Sequence, residues 1–223
     1  MAEPPRDLYD VMRCTPSTRR FTEEPVPREV LERVLENARF APSGGNRQGW
    51  RVIVIEDPDT RRRLRDLYEP HWNAYMEATG GRAVLDAGEA SGLPAGRLRM
   101  LAQADEFAHR FDHPPVHLLI CVALDALAVT DAGLDRQSIV GGASVYPFVH
   151  NILLGLRAEG LGAAFTTLLV PAEPELRDLL SIPDGMAVAG DIAVGYRADP
   201  WPSKLSRQPL ESFVFGERFD EPW

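Results

Sequence analysis

The stretch Ala41-Pro42-Ser43-Gly44-Gly45-Asn46-Arg47-Gln48-Gly49-Trp50 lies between an amphipathic helical pattern and an apolar, β-branched run. Pro42 restricts the backbone, and Gly44 and Gly45 open conformations closed to other residues. Ser43, Asn46 and Gln48 supply directional donors and acceptors. A plain connection seldom needs all of these, and together they suit the grip of a planar polar heterocycle. Serine, glycine and asparagine are also ordinary turn formers, so a turn-only reading stands beside that one. Before the bend, Pro27 reads as a first-turn residue, and Val30, Leu31, Val34, Leu35 and Ala38 recur at helical spacing. After it, Trp50 to Ile55 reads as a largely buried strand ending at Asp57-Pro58, with Trp50 in the core.

Working outward, Leu8, Val11 and Met12 mark a short first helix ended by Pro16. A helix from Thr60 to about Tyr75 carries Arg61, Arg62, Arg63 and Arg65 as a solvated face. Residues 79–115, rich in glycine, read as a lid or variable insertion; hinges over a ligand and a tolerated surface excursion are equally good accounts. Val116 to Leu124 is a buried strand, and Gly133 to Glu159 a long apolar helix kinked at Pro147. Gly160-Leu161-Gly162 ends that helix before a third strand, Ala163 to Val170. Pro174 to Leu180 reads as a helix and Met186 to Tyr196 as a fourth strand. Beyond Asp199-Pro200-Trp201-Pro202 a tail runs to Trp223. Its Phe213-Val214-Phe215 segment is either a strand added to a second subunit or a patch packed on its own chain. Helices alternating with strands predict an α+β or three-layer α/β architecture in a single domain over 1–223.

With 223 residues and 44% hydrophobic content, the chain can bury a full core without metal or disulfide support. The balance of 24 Lys+Arg against 33 Asp+Glu, net −9, argues against nucleic-acid and anionic-membrane partners. No apolar leader opens the acidic, proline-rich first residues and no apolar span of about 20 residues follows, so the expected location is cytoplasmic. Cys121 falls in an apolar run and reads as a buried thiol, and Cys14, beside Arg13 and Arg19, is a weak candidate nucleophile. His71, near Trp72, Tyr75 and Met76, stands between a substrate roof and helical packing. His109, His113 and His117 are a poor metal set, and His150 reads as a core histidine.

The bend resembles the alanine-proline-serine and asparagine-x-glutamine-proline-tryptophan segment of the FMN-dependent nitroreductase family, with Gly49 where that family usually has proline. Three further regions match in the family's order. Arg13 to Phe21 is similar to its arginine-arginine-serine-x-arginine-x-phenylalanine motif, with Thr15 and Pro16 at the two arginine positions and Ser17, Arg19 and Phe21 fitting. Glu159 to Leu168 resembles its glycine-leucine-glycine helix end and flavin-facing strand, and Lys204 to Leu210 its C-terminal basic segment. The resemblance implies a three-layer α/β/α fold with a mainly antiparallel central sheet and a C-terminal tail exchanged in a homodimer. It implies FMN contacts from Ser17 and Arg19, with Arg13 replacing a missing charge. Further contacts come from Pro42, Ser43 and Asn46, commonly of the partner subunit, from backbone donors at Thr166, Thr167 and Leu168, and from Lys204 and Arg207 at the phosphate. Gln48 holds the loop. The implied activity is ping-pong electron transfer from NADPH or NADH to a nitroaromatic, quinone or related conjugated small-molecule acceptor. The alternatives are a non-catalytic flavin-binding protein and a specialised dehalogenase, flavin-fragmenting enzyme or deazaflavin-linked reductase.

Overall fold

The computed structural model describes Pro4 and residues 7–223; the rest of the acidic, proline-rich opening lies outside the described residues. One sheet organises the chain. Its strands are β1 (Trp50–Ile55), β2 (Val116–Ala123), β3 (Gly162–Thr166) and β4 (Met186–Gly195), in spatial order β1-β2-β4-β3 and antiparallel throughout. β2 is central, which explains a run with almost no polar alternation: Leu118, Leu119 and Ile120 are all fully buried.

The helices are α1 (Leu8–Cys14), α2 (Arg28–Ala38), α3 (Pro58–Ala78), α4 (Gly81–Ala87), α5 (Ala95–His109), α6 (Tyr146–Ala158) and α7 (Glu173–Leu180). On one face of the sheet Leu31 and Val34 of α2 and Phe148, Ile152 and Leu156 of α6 pack on Leu118, Ile120 and Ile192. On the other, Leu64 and Trp72 of α3, Phe107 of α5 and Leu176 of α7 pack on Leu119, Cys121 and Ala193. The result is the expected α+β, three-layer arrangement. Trp50 lies in the first core, stacked on Phe148 at 4.8 Å.

Several expectations need correction. β1 is an edge strand, with Arg51 and Val54 exposed, because among the described residues only β2 pairs with it. Pro27 caps α2 from outside its first turn. The long helix over Gly133–Glu159 is confined to Tyr146–Ala158: Pro147, with no N–H to give, sits in the first turn and opens the helix instead of kinking it. The third strand stops at Thr166, and Thr167 to Ala172 turn into a short 3-10 segment. Residues 79–115 are largely helical, and Asp105 accepts hydrogen bonds from Trp72 Nε1 (2.8 Å) and Arg82 (2.9 Å), tying α5 and α4 to α3. The arginines of α3 are not all solvated: Arg61 donates to the carbonyls of Asp112 and Pro114, and Arg65 pairs with Asp112 at 3.1 Å. His150 is exposed on α6, because the buried positions of that helix are Phe148, Val149, Ile152, Leu156 and Arg157. The Phe213 segment does not pack on its own chain as a buried patch: Phe213, Phe219 and Trp223 are 61, 81 and 86% exposed.

Gly190 has a specific backbone duty. The β2–β4 register shifts between Ile120 and Cys121, opposite a Gly190 with φ +149°, and a Cβ there would come 2.5 Å from the Phe165 ring and 2.8 Å from the Thr166 carbonyl. Gly190→Ala is expected to lower the unfolding free energy by about 2–4 kcal/mol in a urea titration, through strain and overpacking together.

Asp131 gathers the loop before α6, accepting from the Ile139 N–H (3.0 Å), Ser138 Oγ (2.7 Å) and Arg136 (2.8 Å). The Ile139 N–H above all, then Ser138 and Arg136, hold its carboxyl down at about 2, from an ordinary 3.8. The folded value is the lower one, so the stability it supplies is complete above pH 3.8 and disappears as the pH falls through about 2. Asp131→Asn should flatten that limb of the acid-unfolding curve, followed by hydrogen exchange over residues 131–139.

Candidate functional site

A cavity of about 930 Å³ opens beside β3. Ala164, Phe165, Thr166, Thr167 and Leu168 form its floor, Ser17 and Arg19 one side, and Tyr68, Trp72 and Tyr75 of α3 with Arg97, Met100 and Leu101 of α5 the other. The segment after α1 is placed by backbone pairing. Ser17 bridges Ala163 in parallel, and the Thr18 N–H donates to the Ala163 carbonyl at 2.8 Å. Alternation then buries Thr18 completely against Gly162, where a Cβ would come 2.6 Å from Thr18 Oγ1, and turns Ser17 and Arg19 to the cavity.

Arg19 has no carboxylate partner among the described residues, and burial lowers its proton affinity, with Tyr68 opposing. A half-buried guanidinium without a counter-charge is suited to an anionic or carbonyl-rich ligand. Tyr68 stacks on Phe111 at 4.0 Å, and its hydroxyl lies 3.3 Å from Thr166 Oγ1. Burial pushes that hydroxyl's pKa up, the Thr166 contact opposes this, and the Asp191 carboxylate adds to it. The Leu168 N–H turns back to Thr166 Oγ1 at 3.2 Å, so among the segment's backbone donors it is already engaged.

The bend is a strained and well-braced structure. Gly45, Asn46 and Gln48 have φ of +61°, +54° and +49°, a conformation that costs side-chain-bearing residues about 1 kcal/mol or more each. The Gln48 N–H donates to Ser43 Oγ (3.0 Å), Gln48 Nε2 to Asn46 Oδ1 (3.1 Å) and the Gly44 N–H to Ser144 Oγ (2.9 Å), so Gln48 does hold the loop. A Cβ on Gly49 would lie 2.5 Å from Ala126 Cβ; the proline expected by resemblance has no room there. The bend leads into β1, at one edge of the sheet, whereas the cavity adjoins β3, at the other. Three strand spacings, about 14 Å, separate the two edges. Pro42, Ser43 and Asn46 therefore do not join Ser17, Arg19 and Thr166 to Leu168 within one chain.

The cations expected at a phosphate fall in a third place. The Leu205 N–H donates to the Arg13 carbonyl at 2.8 Å, which draws the Lys204 segment to the end of α1. Arg13 is exposed and 3.6 Å from Asp10; Lys204 and Arg207 are exposed too, the latter donating to the Ser206 carbonyl. Close by, Arg157 stacks over Trp201 at 3.8 Å and donates to the Cys14 carbonyl, while Arg197 donates to Thr18 Oγ1. Sequence reasoning missed Arg157 and Arg197, and also Tyr68, Arg97, Met100 and Leu101 in the cavity. The spacing Tyr68, Trp72, Tyr75 on one helical face was the available signal for the first of these.

Other candidates lose their chemistry. Both cysteines are buried, and burial pushes the Cys121 thiol up to about 11. His117 is hydrogen-bonded to Asp191 inside the sheet, and no cluster of three possible metal ligands occurs among the described residues. No helix among those residues is long and apolar enough to cross a membrane.

The profile of the Nitroreductase family matches residues 15–196. An NADH dehydrogenase of Thermus thermophilus is 33% identical over 200 residues, covering 89% of this chain and 90% of that protein. Iodotyrosine deiodinase 1 of Rattus norvegicus is 29% identical over 192 residues, 86% of this chain but 62% of the relative. Among solved structures, oxidized iodotyrosine deiodinase bound to FMN and 3-iodo-L-tyrosine has a TM-score of 0.70 at 25% identity, covering 96% of this chain and all of that one. The NADPH:FMN oxidoreductase of Vibrio harveyi complexed with NAD+ has a TM-score of 0.65 at 18% identity, over 96% and 78% of the two chains, a likeness of fold. With the profile spanning both the cavity segment at Ser17 and the last strand of the sheet, the chain belongs to the nitroreductase family of flavin oxidoreductases.

Proposed function

We propose that this protein binds FMN at two composite sites of a homodimer and passes reducing equivalents from NADH or NADPH to a nitroaromatic, quinone or related conjugated acceptor. The observation that carries this reading is Arg19: a half-buried guanidinium with no carboxylate partner among the described residues, set beside the polar end of β3 in a cavity large enough for a flavin ring. FMN, when bound, supplies hydride chemistry at N5. Ser17 and Arg19 would address its pyrimidine and ribityl side, and the backbone at Thr166 and Thr167 would face the reacting edge as a donor that need not change charge, the Leu168 N–H being already held by Thr166 Oγ1. Arg13, Lys204 and Arg207 meet the phosphate, the arginines as planar forks and the lysine as a point charge.

The partner subunit's copy of the bend brings Pro42, Ser43 and Asn46 to the same ring, because one chain holds them at the opposite edge of its sheet. The exposed apolar tail, with Phe213 and Phe219, crosses to the partner and is covered there. Trp72, Tyr75 and Met100 roof an opening wide enough for donor and acceptor to use in turn, so the order of events is ping-pong, and residues 79–115 act as a lid that shapes acceptor choice. The absence of a G-x-G-x-x-G segment is consistent with donor and acceptor sharing one site. We place the protein in the cytoplasm. The likeness to iodotyrosine deiodinase favours a second reading, reductive dehalogenation of a halogenated phenol, which product analysis with 3-iodo-L-tyrosine distinguishes.

The test is an anaerobic titration of FMN-loaded protein. Addition of NADPH or NADH is expected to bleach the oxidised flavin spectrum, and a nitroaromatic or quinone to restore it. Arg19→Ala should weaken FMN binding about 10- to 100-fold, the loss of one charge-assisted contact. A flavin that stays oxidised with both donors would point to a binding protein or another reductant.

A further inference from the structure

His117 and Asp191 are fully buried inside the sheet, and none of the roles above uses them. Asp191 Oδ2 lies 2.7 Å from His117 Nδ1, and His117 Nε2 lies 2.8 Å from the Phe111 carbonyl oxygen. A carbonyl only accepts, so Nε2 carries a proton, and the contact between Nδ1 and a carboxyl oxygen needs a second. The pair is thus net neutral, and as imidazolium and carboxylate its negative end is Asp191. Asp191 Oδ1 has no hydrogen-bond partner among the described residues. Buried carboxylate oxygens are ordinarily satisfied, and an apolar pair would fill the same space without that penalty, so packing does not account for the arrangement.

Its position does. In the β3–β4 register Asp191 stands opposite Thr166, which lines the cavity and lies 3.3 Å from the Tyr68 hydroxyl. Phe111 joins the two ends, stacked on Tyr68 and 4.6 Å from the His117 ring. We propose that His117 and Asp191 are positioning residues of the redox site: their buried dipole turns its carboxylate end toward the cavity wall at Thr166 and Tyr68 and holds bound flavin at a more negative midpoint potential. Reduction adds negative charge, which a carboxylate behind the wall opposes in a low-dielectric interior. The inference rests on the FMN reading. The charged groups acting on the Tyr68 hydroxyl are Asp191 from β4 and Arg19 from the segment after α1; after burial and the Thr166 contact, Asp191 raises its proton affinity and Arg19 lowers it.

Two variants test this. Asp191→Asn keeps a hydrogen bond to His117 while removing the carboxylate, and the double variant H117L/D191L removes the whole pair should the first fail to fold. In protein without flavin, NMR of ring-labelled tyrosine should show Tyr68 titrating at lower pH in either variant. In FMN-loaded protein the midpoint potential should move positive with FMN affinity unchanged, since neither residue reaches the cavity. An unchanged potential in the FMN-loaded variants overturns the proposal, whether or not the Tyr68 titration moves. A Tyr68 shift in a protein that takes up no FMN supports the coupling and sinks the flavin reading instead, so the two failures are told apart.

Discussion

Antiparallel pairing of β2 with β4, from Val116 opposite Val194 to Ala123 opposite Met186, is the constraint on which the remaining features depend. With both strands buried in the middle, β1 and β3 become the edges, and the segments attached to them are sent to opposite sides of the sheet. The same register sets His117 near Asp191 and Asp191 opposite Thr166. Its single irregularity, opposite Gly190, lets the Phe165 ring and the Thr166 carbonyl close over the backbone at the cavity floor.

Strands and helices whose signal is local were legible in the sequence. The β-branched run at Trp50, the apolar run at Val116 and the 3.6-residue spacing from Val30 to Ala38 mark real elements because hydrophobic periodicity is a property of neighbouring residues. The stretch before α6 misled for the opposite reason. Ile139, Val140 and Val145 continue an apolar pattern, but Asp131 recruits the Ser138 hydroxyl and the Ile139 N–H and folds that stretch into a loop. Ile139 ends 75% exposed, a position that helical periodicity assigns to a core.

The candidate site was legible by motif and illegible by location. Ser17, Arg19 and Thr166 to Leu168 meet in one cavity, whereas Pro42, Ser43 and Asn46 stand across the sheet and Lys204 and Arg207 beside α1. Arg97 and Met100 come to the cavity only when α3 and α5 pack together, and no spacing in the sequence reports that. His117 and Asp191 are 74 residues apart and carry no motif, so their pairing is visible only in the folded chain.

The proposed division of the flavin site between two sheet edges calls for a second copy of the chain, and the bare surfaces suit one. Phe40, Ile139, Phe219 and Trp223 are 74, 75, 81 and 86% exposed, an unusual density of large apolar groups left to water. The most direct measurement is complementation between two chains, one carrying Arg19→Ala and the other Asn46→Ala, dissociated together and allowed to reassociate. If each flavin is held by Arg19 of one subunit and the partner subunit's Asn46, random mixing restores parental FMN affinity at about a quarter of the sites, measured by equilibrium binding. No recovery, in a mixture shown to contain hybrid dimers, would contradict the composite site.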